Sequence, residues 1–139
     1  MSLNIFLRRK KYKASASYPE DYIQIDISGY GLNITHNCNL CASKVLLHTP
    51  ERKTRCIYIA DNLSLYSVLW YGDEHNIIQA KDAIPYIQEG LDELIRNMKH
   101  YEQFDPPNNY GNVLTLVKFC SMMLYSCRAN PNAYLEFER

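Results

Sequence analysis

The first hydrophobic pattern along the chain has a period of two. Leu3, Ile5 and Leu7 alternate with Asn4 and Phe6, which predicts a short N-terminal strand. Ile23, Ile25 and Ile27 alternate in the same way with Tyr22, Gln24 and Asp26, so Tyr22 to Ile27 reads as a second, half-buried strand. The basic run Arg8-Arg9-Lys10-Lys11 between them reads as a solvated hairpin loop. One such run without interleaved aromatics or glycines is only weak evidence for the alternative, a phosphate or nucleic-acid patch. Gly29 and Gly31 then let the chain turn, and Thr35 or Asn37 is placed to cap a following helix.

From there the period becomes helical. Asn39 to Leu47 predicts a short helix, Pro50 with Glu51, Arg52 and Lys53 a loop, and Cys56 to Ala60 a third strand. Asp61 or Asn62 stands where a cap belongs, and Leu63, Tyr66, Leu69 and Trp70 recur at helical spacing. The clearest stripe is Ile77, Ala80, Ile84, Ile87, Leu91, Leu94, Ile95 and Met98, with Gly90 interrupting it. Pro85 falls inside this segment, so either the helix kinks there or it begins just before the proline. The opposite face, with Asp82, Glu89, Asp92, Glu93 and Arg96, is expected to meet only water. A turn-rich connection from Phe104 to Asn112 follows, and then Val113, Leu116, Val117, Cys120, Met123, Leu124 and Cys127 predict a helix ending near Ala129. Tyr134 to Glu138 alternates again and predicts a closing strand, beside the N-terminal strands or at their edge. This order predicts an α+β fold, a small mostly antiparallel sheet with about four helices packed on one face. A chain of 139 residues fits one compact domain over 1–139.

Composition narrows the partners. Fifteen basic and fifteen acidic side chains cancel, so bulk charge favours neither nucleic acid nor an anionic membrane. No apolar run approaches the roughly 20 residues that span a bilayer. Five cysteines, an odd number without a signal-like start, point to a reducing cytoplasm instead of a disulfide framework. Cys38 and Cys41 form a C-x-x-C pair, but one pair lacks the four ligands of a structural zinc, and the sheet-backed setting of a redox motif is missing. These two thiols, like Cys120 and Cys127 on the last helix, are expected to be small buried side chains. No metal and no cofactor are expected.

Candidate chemistry concentrates in two polar clusters. Asn33-Ile34-Thr35-His36-Asn37 places four hydrogen-bonding side chains where a strand hands over to a helix. Amide and hydroxyl groups of this kind read sugars, base edges and phosphates without doing chemistry, and His36 adds a general base if the protein is an enzyme. The second cluster runs from Asn108 to Asn112 around Tyr110. Turn formation and helix capping explain its asparagines and glycine, whereas the aromatic ring fits stacking on a base. Tyr66 and Trp70 supply an opposite wall, although core packing gives the same spacing. A shared pocket requires the His36 and Tyr110 segments to meet in space.

The chain also resembles a family of small bacteriophage and prophage proteins. The resemblance rests on Asn33 to Asn37, on Leu65-Tyr66-Ser67-Val68-Leu69-Trp70, on Gly90-Leu91-Asp92-Glu93-Leu94, and on Asn109-Tyr110-Gly111-Asn112 before Leu116-Val117-Lys118-Phe119, and it spans about Tyr22 to the C-terminus. The stretch from Cys38 to Asp61 is longer than its counterpart, and Tyr110 stands where the family has tryptophan. The resemblance implies a phage setting in a bacterial host cytoplasm. Phage accessory proteins often act against host defence, so the expected function is binding of a nucleotide-derived immune signal, which is sequestered and not cleaved. Asn33, Thr35, Asn37 and Asn109 would bond this ligand, His36 or Arg128 would meet phosphate, and Tyr66, Trp70 and Tyr110 would stack, with Asn112 completing the set. Two alternatives are a direct inhibitor of a host protein and an enzyme using His36. A homo-oligomer with its pocket at a symmetric interface fits any of the three.

Overall fold

Backbone pairing carries the first strand well past its hydrophobic positions. The computed structural model describes residues 2–13, 22–26, 31–47, 63–108 and 110–139. Strand β1 spans Ser2–Lys13 and pairs antiparallel with β2 (Tyr22–Asp26), β3 (Leu32–Thr35) and β4 (Tyr134–Glu138). The basic run predicted as a hairpin loop is therefore strand, with Lys11, Tyr12 and Lys13 opposite Gln24, Ile23 and Tyr22. Backbone groups need partners whatever the side chains carry, and β2 supplies them here. Asn4 is paired with both Asn33 and Glu138, and Arg8 with both Asp26 and Tyr134. A residue has only two pairing sides, so β4 runs along one side of β1, and β3 and β2 follow each other along the other.

The pleat separates the two faces of this sheet. Leu3, Ile5, Leu7, Leu32 and Ile34 are buried in a hydrophobic cluster that also holds the helices' inner residues. Each such side chain contributes about 1.5–3 kcal/mol when removed from water. The other face carries a polar ladder. Asn33 Nδ2 donates to Ser2 Oγ at 2.9 Å and to Asn4 Oδ1 at 2.8 Å, and Arg8 pairs with Glu136 at 2.7 Å.

The helices are α1 (Asn39–Ser43), α2 (Leu65–Tyr71), α3 (Ala80–Arg96), a single turn α4 (Met98–Tyr101) and α5 (Val113–Ala129). The α+β fold with helices against one sheet face matches the expectation. Helix α1 stops at Ser43, short of the predicted Leu47, because Val45 and Leu47 bond in extended form to the entry of α2: Leu47 N donates to Leu63 O and Leu65 N to Val45 O, both at 2.8 Å. The cap of α2 is Ser64, whose Oγ accepts from Ser67 N at 3.1 Å. The strand expected at Cys56 to Ala60 and the caps expected at Asp61 or Asn62 lie outside the described residues.

Helix α3 begins at Ala80 and runs through Pro85. Its entry is fixed by Asp82, whose carboxylate accepts from Gln79 N at 2.9 Å and Ile78 N at 3.2 Å, a capping box closed by the Gln79 side chain. Asp82 thus does not simply meet water, and neither does Glu93, which accepts from Tyr101 Oη at 2.8 Å. That bond holds the Glu93 carboxyl below its ordinary range. The buried stripe also departs from expectation: Ala83 and Tyr86 lie inside, while Ile95 is 55% exposed. Gly90 has a packing reason, since a Cβ there would stand 2.8 Å from Leu65 Cδ1. The glycine costs about 1 kcal/mol of helix propensity and lets α2 approach α3.

Candidate functional site

The first polar cluster is built by a strand that ends and at once begins a helical turn. Thr35 is extended, and its Oγ1 accepts from Asn37 N at 3.3 Å, closing a turn over His36–Cys38 that leads into α1. This turn lays His36 against α2. Trp70, 1% exposed, donates its indole N–H to His36 Nδ1 at 2.7 Å. A neutral imidazole that accepts at Nδ1 carries its proton on Nε2, so His36 presents a donor on its other edge. Tyr66 stacks on Trp70 with ring centroids 5.2 Å apart, and Tyr71 meets Tyr66 edge-on at 5.7 Å. Burial and a hydrogen bond with Tyr71 hold the Tyr66 phenol above its ordinary value, against the opposing pull of Arg139. Arg139 closes the cluster: its guanidinium lies 4.6 Å over Tyr71 and donates to Trp70 O at 2.9 Å and to Asp73 at 3.0 Å.

The second cluster comes directly against the first. Gly111 has φ +89°, and a Cβ at that position would stand 2.7 Å from Thr35 Cγ2 and 3.0 Å from Asn37 Cβ. Cys38 Sγ donates to Gly111 O at 3.4 Å. Both the left-handed backbone and the close approach demand glycine. Tyr110, beside it, is 68% exposed, with its N–H held by Asn108 Oδ1 at 2.9 Å. Asn112 caps α5, its Oδ1 accepting from Thr115 N at 3.0 Å. The His36 and Tyr110 segments, separated by more than seventy residues, therefore meet in space at Gly111, and the surface around that contact is the candidate site.

Not every predicted residue joins that surface. Asn33 lies on the outer face of the sheet with its amide bonded to Ser2 and Asn4. Trp70 is core, so the ring it offers is available only to Tyr66 and His36. Thr35 and Asn112 spend their side-chain oxygens on caps. Arg128 sits sixteen residues along α5 from Asn112, about 24 Å at the helical rise, and bonds Gln88. Asn109 lies outside the described residues. Of the predicted residues, His36 and Tyr66 both lie against Trp70, Asn37 lies beside Gly111, and the exposed Tyr110 precedes that glycine in the chain.

The thiols beneath this surface are unsuited to nucleophilic work. Burial pushes Cys38 up to about 11 and Cys41 to about 12, with Asp105 adding to both. Cys120 is raised further and Cys127 to about 12, again by burial. Among the described residues no three His, Cys, Asp or Glu side chains are grouped to hold a metal ion. Sequence reasoning missed Tyr71, Asp73 and Arg139. Nothing in their spacing marks them, because their meeting depends on β4 returning beside β1. No family model, curated protein or solved structure matches the chain.

Proposed function

We propose that the surface made by His36, Asn37, Tyr66 and Tyr110 binds a nucleotide-derived small molecule and holds it intact. The observation that supports this reading is the close approach of Gly111 to Thr35, Asn37 and Cys38, which brings the segment of the exposed Tyr110 against the turn that carries His36 and the exposed Asn37. A base stacks on Tyr110, the Asn37 amide bonds its polar edge, and His36 Nε2–H meets a phosphate or ribose oxygen. Two features support binding without turnover. His36 Nδ1 is occupied by the Trp70 indole, and the neighbouring thiols stay protonated at neutral pH. The resemblance of the sequence to small phage proteins supports a reading in which the bound molecule is a host immune signal that is sequestered.

The test incubates the purified chain with a panel of cyclic nucleotides and ADP-ribose derivatives, removes unbound material, denatures the protein and identifies what is released by mass spectrometry. Intact ligand, lost in Tyr110→Ala and Asn37→Ala, is the expected result. A chemically altered product would move the assignment to catalysis at His36. Retention of nothing from the panel would discard the small-molecule reading in favour of direct binding to a host protein through the exposed tyrosine.

A further inference from the structure

The C-x-x-C pair has no part in the proposed ligand surface, yet the structure sets it against both ends of the connection that carries Tyr110. Strand β3 runs into the pair through the His36 turn, with Cys38 ending that turn and Cys41 in the first turn of α1. Both side chains are buried. Cys38 Sγ donates to Gly111 O at 3.4 Å and lies 4.0 Å from Asn112 O, at the far end of the connection. Cys41 Sγ reaches Tyr101 O at 4.0 Å, where α4 ends and the connection begins. Between these ends, Asp105 accepts from Val113 N at 2.9 Å and acts electrostatically on both thiols. Two thiols three residues apart thus touch both sides of one loop.

We propose that Cys38 and Cys41 form a redox latch: oxidation joins them in a disulfide and releases the Tyr110 loop from the His36 turn. Residues at i and i+3 of a helical turn stand with Cβ atoms about 5–6 Å apart, and a disulfide draws them to about 3.5–4.5 Å. The tightening of about 1–2 Å falls at the start of a five-residue helix, where Cys38 already departs from helical geometry with φ −85° and ψ −2°. Neither sulfur of a disulfide carries a proton, so the contacts with Gly111 O and Tyr101 O lose their donors together. A peroxide supplies the oxidising equivalents. The Cys38 thiolate attacks one peroxide oxygen, the O–O bond breaks, and the leaving hydroxide takes up the proton released by Cys38, giving a sulfenic acid and water. The Cys41 thiolate then attacks the Cys38 sulfur. An S–S bond forms as the S–O bond breaks, and the departing hydroxide takes the proton that Cys41 gave up. Two thiols and one hydrogen peroxide thus yield one disulfide and two waters. With the loop closed, burial keeps both thiols protonated, so oxidation captures the open loop and prevents it from closing again. That this release regulates ligand binding rests on the binding reading above, whereas the disulfide and the loop release do not.

In the test, the reduced full chain is treated with hydrogen peroxide, denatured, blocked at its free thiols, reduced, and labelled with a second thiol reagent. Tandem mass spectrometry should place the second label on Cys38 and Cys41, with two hydrogens lost from the intact mass before reduction. Chymotrypsin cleavage between Tyr110 and Gly111 should be at least about fivefold faster in the oxidised chain and should slow again on reduction. Cys41→Ser and, separately, Cys38→Ser keep a hydroxyl donor and should show neither the disulfide nor the peroxide-dependent acceleration. A second label on Cys120, which both thiols influence electrostatically, or on any other cysteine overturns the inference. So does a chain that peroxide leaves reduced, or a Cys38–Cys41 disulfide that leaves cleavage at Tyr110 unchanged. None of these readouts uses a ligand, so failure of the latch and failure of the binding reading are told apart.

Discussion

At the scale of single residues, His36 and Gly111 hold the candidate surface together by different means. His36 gives the buried Trp70 indole its hydrogen-bond acceptor at 2.7 Å. His36→Ala leaves that donor unsatisfied, and the chain should lose about 1–3 kcal/mol, read as a lower urea midpoint. His36→Asn keeps an acceptor at nearly the same distance from the backbone but has no Nε2–H. It should therefore recover most of the stability while still binding the proposed ligand poorly, which separates the structural role of the ring from its role toward ligand. Gly111 acts through space and backbone. Gly111→Ala must accommodate φ +89° together with a Cβ placed 2.7 Å from Thr35 Cγ2. A loss of about 1–3 kcal/mol in denaturant unfolding is expected, with ligand retention falling as the Tyr110 loop moves off the His36 turn. Stability unchanged from wild type would show that the loop relaxes freely and that the two segments are not locked together.

At the scale of elements, the turn before α5 shows how local chemistry fixes the same surface. Asn112 Oδ1 accepts from Thr115 N and also from Thr115 Oγ1, at 3.0 and 3.1 Å. Asn112→Ala should therefore cost about 1 kcal/mol in urea unfolding and Asn112→Asp almost nothing, since aspartate caps equally well. Such caps are readable from sequence, and so were the bounds of α5, where Asn112 begins the helix and Asn130-Pro131 ends it. The strands β1, β2 and β4 were readable from their period of two, although β1 was predicted to stop before its basic residues. What the sequence did not carry was partnership across distance. The carboxylate of Asp82 looks like any surface charge until Ile78 and Gln79 present their N–H groups to it. Asn33 and Asn37 look equivalent in one motif, but a strand alternates its sides, and Asn33 falls on the outer face while Asn37 follows the turn. Arg128 looked like a phosphate contact, and the length of α5 puts it about 24 Å away. The meeting of Thr35 with Gly111 depends on how α5 packs against β3, which no window of local sequence contains.

At the scale of the whole molecule, the buried thiols tie stability to alkaline pH. Cys38, Cys41, Cys120 and Cys127 are free and buried, and burial is the largest cause raising each of them. Tyr101 is raised to about 12 by burial and by its bond to Glu93. In each case the folded state holds its proton at a pH where the unfolded chain has released it. The contribution is thus complete below the ordinary thiol value of about 9, and it is lost as pH rises toward 11 to 12 for Cys38, Cys41 and Cys127. The unfolding free energy should accordingly be flat through neutral pH, fall from about pH 9, and fall more steeply once Tyr101 joins above its ordinary value of 10. Urea titrations at a series of pH values measure this curve directly. Replacing Cys127 by alanine gives the internal control: the variant is less stable at pH 7 by about 1–3 kcal/mol for the cavity it opens, but its stability should decline less between pH 9 and 12 than that of the wild type. A parallel decline in both proteins would mean that Cys127 releases its proton as easily when folded as when unfolded, and the buried thiol would then be reachable by water through an opening of α5 against α3.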